Sequence, residues 1–426
     1  MTSKGGEELV DPPGRDLLMS SAHTFADLAS AIDRVFARWD LSHLHEFRLL
    51  DGRRVMMMEG VGSDPEVAIL PDVRALVVTP RQPRSARVID VPEPRATSGE
   101  VLVSGVRIGL CGTDHEINEG LYGSAPPGSD VLVLGHESLG RVERGTPDLP
   151  EGSFVVGIVR RPDGCPNCLA GEPDMCLWGK FTERGIGGLH GFGSERWVDQ
   201  AQFLVAVPAE LAEVGVLLEP LTVVEKVVRH AFLIQRRLRW EPARALVAGA
   251  GPIGMLGAML LRVRGIDVTV FERTHKPERS ALLAGIGARY AATAATPLAE
   301  IAAGAGPIDL AVEATGSAAV AFALIEHLGT NGVLGLTSVS GGEATAEVPV
   351  ARANRLLVLG NRAVFGSVNA NRVDFEQGVR DLGEAERRWP GFLRSLITSR
   401  VQLADAAVAV THDPRQIKVV VELGGT

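Results

Sequence analysis

Arg244-Ala245-Leu246-Val247-Ala248-Gly249-Ala250-Gly251-Pro252-Ile253-Gly254 decides the fold. The first five residues read as a short apolar strand, and a helix follows the glycines. A bare G-x-G-x-x-G is a weak signal, because glycine is 49 of the 426 residues. Here the motif stands between strand and helix, and a second strand follows that ends in Glu272, 18 residues past Gly254. Each glycine has a physical task. Gly249 allows the tight turn, Gly251 lets a pyrophosphate reach the backbone, and Gly254 lets helix and strand pack closely. Pro252 and Ile253 open the helix, whose N-terminus attracts the phosphate charge. The reading is a dinucleotide site. Glu272 points to NAD, since a carboxylate accepts from the ribose 2′-hydroxyl and repels a 2′-phosphate. Arg273 follows at once and offers the opposite pairing, so NADP stays open as the alternative.

Outward from this motif, apolar strands alternate with Ala/Leu-rich helices from about Thr222: 267–271, 280–286, 308–314, 318–328 and 333–336. That alternation predicts a doubly wound parallel sheet. Upstream, from Val73, short strands separated by Pro and Gly (75–78, 85–91, 100–108, 135–142 and 152–159) predict a β-rich segment. The first 72 residues form a separate extension. It reads as a helix from Phe25 to about Trp39, a hairpin of strands 45–50 and 54–58, and a linker over 60–72. His43 and His45, with Glu46, suggest a solvated strand more than a metal site.

Composition narrows the function classes. The net charge of −9 argues against a nucleic-acid partner. No run of about 18 apolar residues predicts a membrane span, and the start of the chain shows no secretory h-region. A cytoplasmic enzyme acting on a small molecule is the expectation. All four cysteines lie between Cys111 and Cys176. In a reducing compartment they point to metal rather than disulfides. Cys111, in a Gly-rich turn, stands 25 residues before His136-Glu137. Thiolate, imidazole and carboxylate with one open position suit a catalytic Zn²⁺. Cys165, Cys168 and Cys176 form a second cluster.

The segments GLCGTDHEINEGLYG (109–123), LVLGHESLGRVERG (132–145), RRPDGCPNCLAGEPDMC (160–176), ERGIGGLHGFGSE (183–195), LLEPLTVVEK (217–226), GAGPIG (249–254) and GSVNANR (366–372) occur in this order. Over residues 73–426 the chain resembles the zinc-dependent medium-chain dehydrogenases, and within them the glucose 1-dehydrogenase branch. The resemblance implies an α/β chain. Its GroES-like catalytic domain would span 73–221, its Rossmann domain 222–365, and a segment over 366–426 would return to the catalytic domain. It implies hydride transfer between NAD(P) and a hydroxyl or carbonyl of a sugar, polyol or cyclitol, in a homodimer or homotetramer.

Carried over residue by residue, it implies catalytic zinc on Cys111, His136 and Glu137, with Glu219 touching zinc directly or through water. Thr113 would bond the substrate oxygen and start a proton relay. Asp114 would orient a ligand. Glu116 would extend the relay, or be a plain exposed helix residue. Glu195 would contact a sugar hydroxyl, and Asn369 the nicotinamide and substrate. Lys418, Val368, Thr315, Gly316 and Val339 would line the cofactor. The family's structural-zinc lobe has four cysteines, and this chain keeps three, with Pro162 or Asp163 where the first would stand. Asp163 can supply an oxygen ligand, or the lobe folds without metal. Val223 and Asp374 stand where sugar-oxidising relatives have Asp and His, so the substrate is open beyond glucose. A protein that kept this fold for a regulatory or scaffolding role, with the N-terminal extension as its working part, is the reading from another class. Residues 31–55 of that extension resemble the opening of plasmid pRiA4b ORF-3-like domains, which are longer than the space available.

Overall fold

The computed structural model describes residues 72–340, 345, 347–411 and 413–424, and the backbone of 3–4, 7–8, 46–48, 54–56 and 68–69. The chain forms two compact units, 1–72 and 73–426. In the smaller unit, Ser3–Lys4 pairs with Glu7–Glu8. Glu46–Arg48 and Arg54–Met56 form the expected hairpin, shorter at its ends. Ala68–Ile69, read from sequence as linker, adds a third antiparallel strand. The helix expected over 25–39, and His43 and His45, lie outside the described residues.

In the larger unit, strand Glu100–Leu110 (β1) is followed by helix Gly112–Asn118 (α1) and by strands Glu137–Arg144 (β2), Phe154–Gly157 (β3), Arg196–Gln200 (β4) and Leu204–Val207 (β5). Helix Leu218–Gln235 (α2) leads to strand Arg244–Ala248 (β6), helix Pro252–Val263 (α3), strand Asp267–Glu272 (β7), helix Pro277–Gly285 (α4) and strands Arg289–Ala292 (β8), Ile308–Glu313 (β9), Leu328–Leu336 (β10) and Ala363–Gly366 (β11). Helices intervene between β8 and β9, β9 and β10, and β10 and β11. Helix Arg372–Arg388 (α5) and strands Ile397–Gln402 (β12) and Lys418–Glu422 (β13) complete the chain.

Among the described residues, β6 to β11 form one parallel sheet in the order β8-β7-β6-β9-β10-β11. The order reverses at β6, and ligands bind at such a switch point, outside the carboxyl ends of the strands. The other large sheet runs β5-β3-β2-β1-β13-β12, with β4 also on β1. Strand β13 therefore returns the C-terminal segment to the first sheet. Its Val419 lies opposite Leu110, while Glu137 of β2 lies opposite Gly109. Lys418 and Glu137 thus converge on the end of β1 from its two sides.

Two of the glycines meet the steric demands read from the sequence. Gly249 has φ +99°, and a side chain on it would meet the Ala314 carbonyl at 2.6 Å. A Cβ on Gly254 would fall 1.9 Å from the Gly249 carbonyl, so α3 can approach β6 only with glycine there. Gly251 faces open space. Helix α2 joins the two halves by burying Leu218, Leu221, Val224, Val227 and Ala231 in the largest apolar cluster, each large side chain contributing about 1.5–3 kcal/mol. Its first turn carries Glu219. The change of texture read near Thr222 falls inside this helix, because an apolar helix shared by both halves belongs to neither pattern.

Candidate active site and metal centres

Cys111 caps α1. Its Sγ accepts from the Thr113 amide at 3.3 Å, and its own N–H donates to Asp114 at 3.0 Å. This reciprocal cap fixes the loop after β1. The Cys111 Sγ lies 3.2 Å from His136 Nε2. On the other side of the ring, Nδ1 is buried without a hydrogen-bond partner, with Asp114 Oδ1 3.6 Å away. Donor atoms of His136, Glu137 and Glu219 lie within 4.8 Å of one another, as do those of Cys111, Asp114 and His136. His136, Glu137 and Asp114 are at most 5 % exposed.

Electrostatics reflects this crowding. Burial pushes the Cys111 thiol above its ordinary pKa, and His136 opposes the shift. Burial works against charge on His136, but Cys111 and Asp114 outweigh it and hold its pKa well above the usual imidazole value. Burial pushes Glu219 up to about 7, with His136 opposing. Sulfur, nitrogen and oxygen donors crowded together, with Cys111 and Glu219 half-buried and His136 and Glu137 buried, fit Zn²⁺. Glu137 is in this cluster, but Lys418 Nζ donates to both of its oxygens, at 2.7 and 2.6 Å, and to the Leu110 carbonyl at 3.3 Å. A Cβ on Gly109 would lie 2.0 Å from Glu137 Oε2, so the carboxylate reaches Lys418 only because that residue is glycine.

Cys111, Glu137 and Lys418 line a cleft of about 830 Å³ that is also lined by Gly249 to Ile253, Glu272, Arg273 and Thr315. Cys111 and Glu137 of the donor cluster therefore share one cavity with the glycine turn, while His136, Glu219 and Thr113 are not among its lining residues. Gly254, Gly316, Val339, Val368 and Asn369 do not line it. Gly254 acts through packing, and Gly316 donates to Ser338 at 2.9 Å. Val339 and Val368 are exposed. Thr315 is fixed from below, its N–H and hydroxyl both donating to buried Glu313 at 2.6 Å. The structure does not bring Asn369 into the cluster. Its amide donates to Glu183 at 2.8 Å. Nor does it bring Glu195, whose carboxylate is gripped by the Arg74 guanidinium at 2.6 and 2.9 Å and by the Arg74 amide at 2.7 Å. Pairing of the Glu195 N–H with the Arg74 carbonyl sets these side chains together. Asp374 caps α5 and pairs with Arg229 at 2.7 Å, so it serves the fold.

Asp163, not Pro162, completes the second cluster. Donor atoms of Asp163, Cys165, Cys168 and Cys176 lie within 4.8 Å of one another. Asp163 lies 3.0 Å from Cys176 Sγ and 3.4 Å from Cys168 Sγ. Gly164, at φ +83°, makes the turn that brings it there. Backbone amides of Cys168 and Leu177 point at Cys165 Sγ, and that of Gly179 at Cys176 Sγ. The Cys176 thiol holds the Asp163 carboxyl well below the usual carboxylate range. Three sulfurs and a carboxylate fit a closed Zn²⁺ site.

Sequence reading missed several groups. Tyr122 hydrogen-bonds Thr113, and burial raises its pKa to about 12. Lys226 is buried on Asp174 at 2.9 Å, tying the cysteine lobe to α2. One signal was available. The chain has only five lysines among its 43 basic residues, and two of them, Lys226 and Lys418, are 1 % exposed. Where arginine is the default, a retained lysine marks a site needing a compact charge.

Residues 97–209 match the alcohol dehydrogenase GroES-like domain, and residues 212–423 match the glucose dehydrogenase C-terminus. The chain is 44 % identical to the glucose 1-dehydrogenase of Methanocella arvoryzae over 358 residues, covering 83 % of this chain and 100 % of that one. It is 41 % identical to the glucose 1-dehydrogenase of Thermoproteus tenax, covering 82 % and 99 %. Among solved structures, the glucose dehydrogenase of Haloferax mediterranei in complex with NADP, Zn and gluconolactone matches with a TM-score of 0.76 and 33 % identity, over 83 % of this chain and 100 % of that one. The chain belongs to the zinc-dependent medium-chain dehydrogenase superfamily, in its glucose dehydrogenase branch.

Proposed function

We propose that the chain is an NAD(P)-dependent zinc dehydrogenase that oxidises a sugar hydroxyl or, in reverse, reduces the carbonyl. The observation that carries this reading is the single cleft lined by both Cys111 and the Gly249–Ile253 turn. When bound, Zn²⁺ would supply Lewis-acid polarisation of the substrate oxygen and the nicotinamide cofactor would supply hydride chemistry. Cys111, His136 and Glu219 hold the ion. Asp114 orients the His136 ring from its Nδ1 side and fixes the Cys111 loop. Thr113 accepts the proton of the substrate hydroxyl while giving up its own, so the threonine stays neutral. Glu116, one turn further along α1 and exposed, passes the released proton to solvent. Lys418 steadies Glu137 and presents positive charge to the cofactor cleft. Val223, one turn beyond Glu219 on α2, puts an apolar contact next to the substrate. The test is absorbance of reduced nicotinamide across aldoses, polyols and cyclitols with NAD and NADP. Turnover of at least one sugar is expected, and none on any substrate with either cofactor overturns the reading.

The cysteine lobe holds a second Zn²⁺ on Asp163, Cys165, Cys168 and Cys176. Two zinc ions per chain are expected by elemental analysis. Asp163→Ala is expected to reduce this to one, lowering thermal stability while freshly purified enzyme keeps most of its turnover. A ratio of two in the variant would exclude Asp163 as a ligand. The commitment of all four cysteines to metal rather than to disulfides supports a cytoplasmic location. The chain assembles with copies of itself. Exposed Val350, Val358 and Leu359, on the helix before edge strand β11, support this.

A further inference from the structure

The carboxylate at the end of β7 is not free. Tyr290 donates its hydroxyl to Glu272 Oε1 at 2.6 Å. Arg279 Nη1 donates to Oε2 at 3.1 Å, and Lys276 Nζ lies 3.4 Å from the same oxygen. Tyr290 is itself fixed, accepting from the Lys276 amide at 2.9 Å and lying edge-on to His275. Arg279 is buried in α4, held by the carbonyls of Pro414 and Gln416 at 3.1 and 3.4 Å. It lines the cleft, and its Nε is buried with no acceptor. Arg273 also lines the cleft. It is exposed and has no side-chain partner among the described residues.

Two cations, Arg279 and Lys276, therefore meet one carboxylate that is already the counter-ion of a buried guanidinium, and Arg273 adds an unpaired positive charge to the same cleft. A buried arginine needs such a partner, so Glu272 has a structural reason to be acidic that is separate from ribose recognition. A 2′-phosphate, which a lone carboxylate would repel, meets net positive charge here. It also offers acceptor oxygens of the kind Arg279 Nε lacks.

We propose that Tyr290 and Arg279 hold Glu272 back as an internal counter-ion, so that Arg273, Lys276 and Arg279 select a 2′-phosphorylated adenosine, making NADP the preferred cofactor. The proposal rests on reading the cleft as a dinucleotide site, and reverses the choice of NAD drawn from Glu272 alone.

The test is equilibrium titration of the full-length, zinc-loaded protein with 2′,5′-ADP and with 5′-ADP, in one buffer and without substrate. 2′,5′-ADP is expected to bind at least tenfold more tightly. Arg273→Ala changes an exposed side chain, and Lys276→Ala removes one that also donates to the Pro414 carbonyl at 3.1 Å, so a thermal melt of each variant accompanies the titration. Each is expected to weaken 2′,5′-ADP several-fold and 5′-ADP less than twofold. Tyr290→Phe frees one Glu272 oxygen and is expected to move the preference towards 5′-ADP. Equal or tighter binding of 5′-ADP by the unmodified protein overturns the proposal and leaves the dinucleotide reading standing. So does an unchanged ratio in both Arg273→Ala and Lys276→Ala. Binding of neither nucleotide overturns both.

Discussion

Cys111→Ser is expected to lower turnover by about a thousandfold or more, with zinc content falling by one ion per chain and adenine-nucleotide affinity unchanged. The reasoning is chemical and local. Zinc takes thiolate sulfur readily, and a serine hydroxyl is a poor substitute at neutral pH. Lewis-acid stabilisation of developing charge amounts to several kcal/mol, and about 4 kcal/mol is a thousandfold. Serine is also a favoured N-cap, so helix α1 should form as before and the loss can be assigned to the metal. His136→Ala removes the neighbouring donor, 3.2 Å from the sulfur, and should give the same pattern. The glycine turn lies in the other sheet, which is why nucleotide binding should persist. Measuring kcat, zinc stoichiometry and 5′-ADP affinity on one preparation separates the cases. Turnover within tenfold of the unmodified enzyme in both variants would remove the metal from the mechanism.

The features legible in the sequence are those fixed by short-range geometry. The Gly249–Gly254 turn was readable because each glycine answers a local steric demand. Cys111 and His136 were readable because thiol and imidazole are rare and chemically specific. Pro162 and Asp163 are equal choices in the sequence, and only the approach of Asp163 to Cys176 and Cys168, at 3.0 and 3.4 Å, separates them. What the motifs do not carry is the partner that each charge meets in the fold. Glu195 resembled a sugar contact, yet it lies 121 residues from the arginine that holds it. Glu272 resembled a free acceptor, yet Tyr290 from β8 and Arg279 from α4 close over it. A motif records residue type at a position, whereas charge balance at that position is settled by neighbours that arrive through the fold.

A buried ion pair between residues 281 apart, Glu137 and Lys418, gives the largest expected change in stability. Lys418→Met should cost about 3–5 kcal/mol in denaturant unfolding, the range for removing one partner of a buried ion pair. The remaining Glu137 carboxylate would be 2 % exposed, beside Glu219 and close to Asp114, with its counter-ion gone. Glu137→Gln together with Lys418→Met should recover most of that loss, because it removes the stranded charge as well. Burial alone would lower the Lys418 pKa, but Glu137 and Cys111 outweigh it and raise it above the ordinary lysine value. The pair's contribution is therefore complete at neutral pH and fades only as pH rises through the alkaline range. If Lys418 acted solely as a contact to the cofactor, Lys418→Met would weaken nucleotide binding and leave the stability of the nucleotide-free protein unchanged. The convergence of β2 and β13 on the bare backbone of Gly109 argues for the larger effect: the charge that closes the metal site is also the charge that joins the last strand to the first sheet.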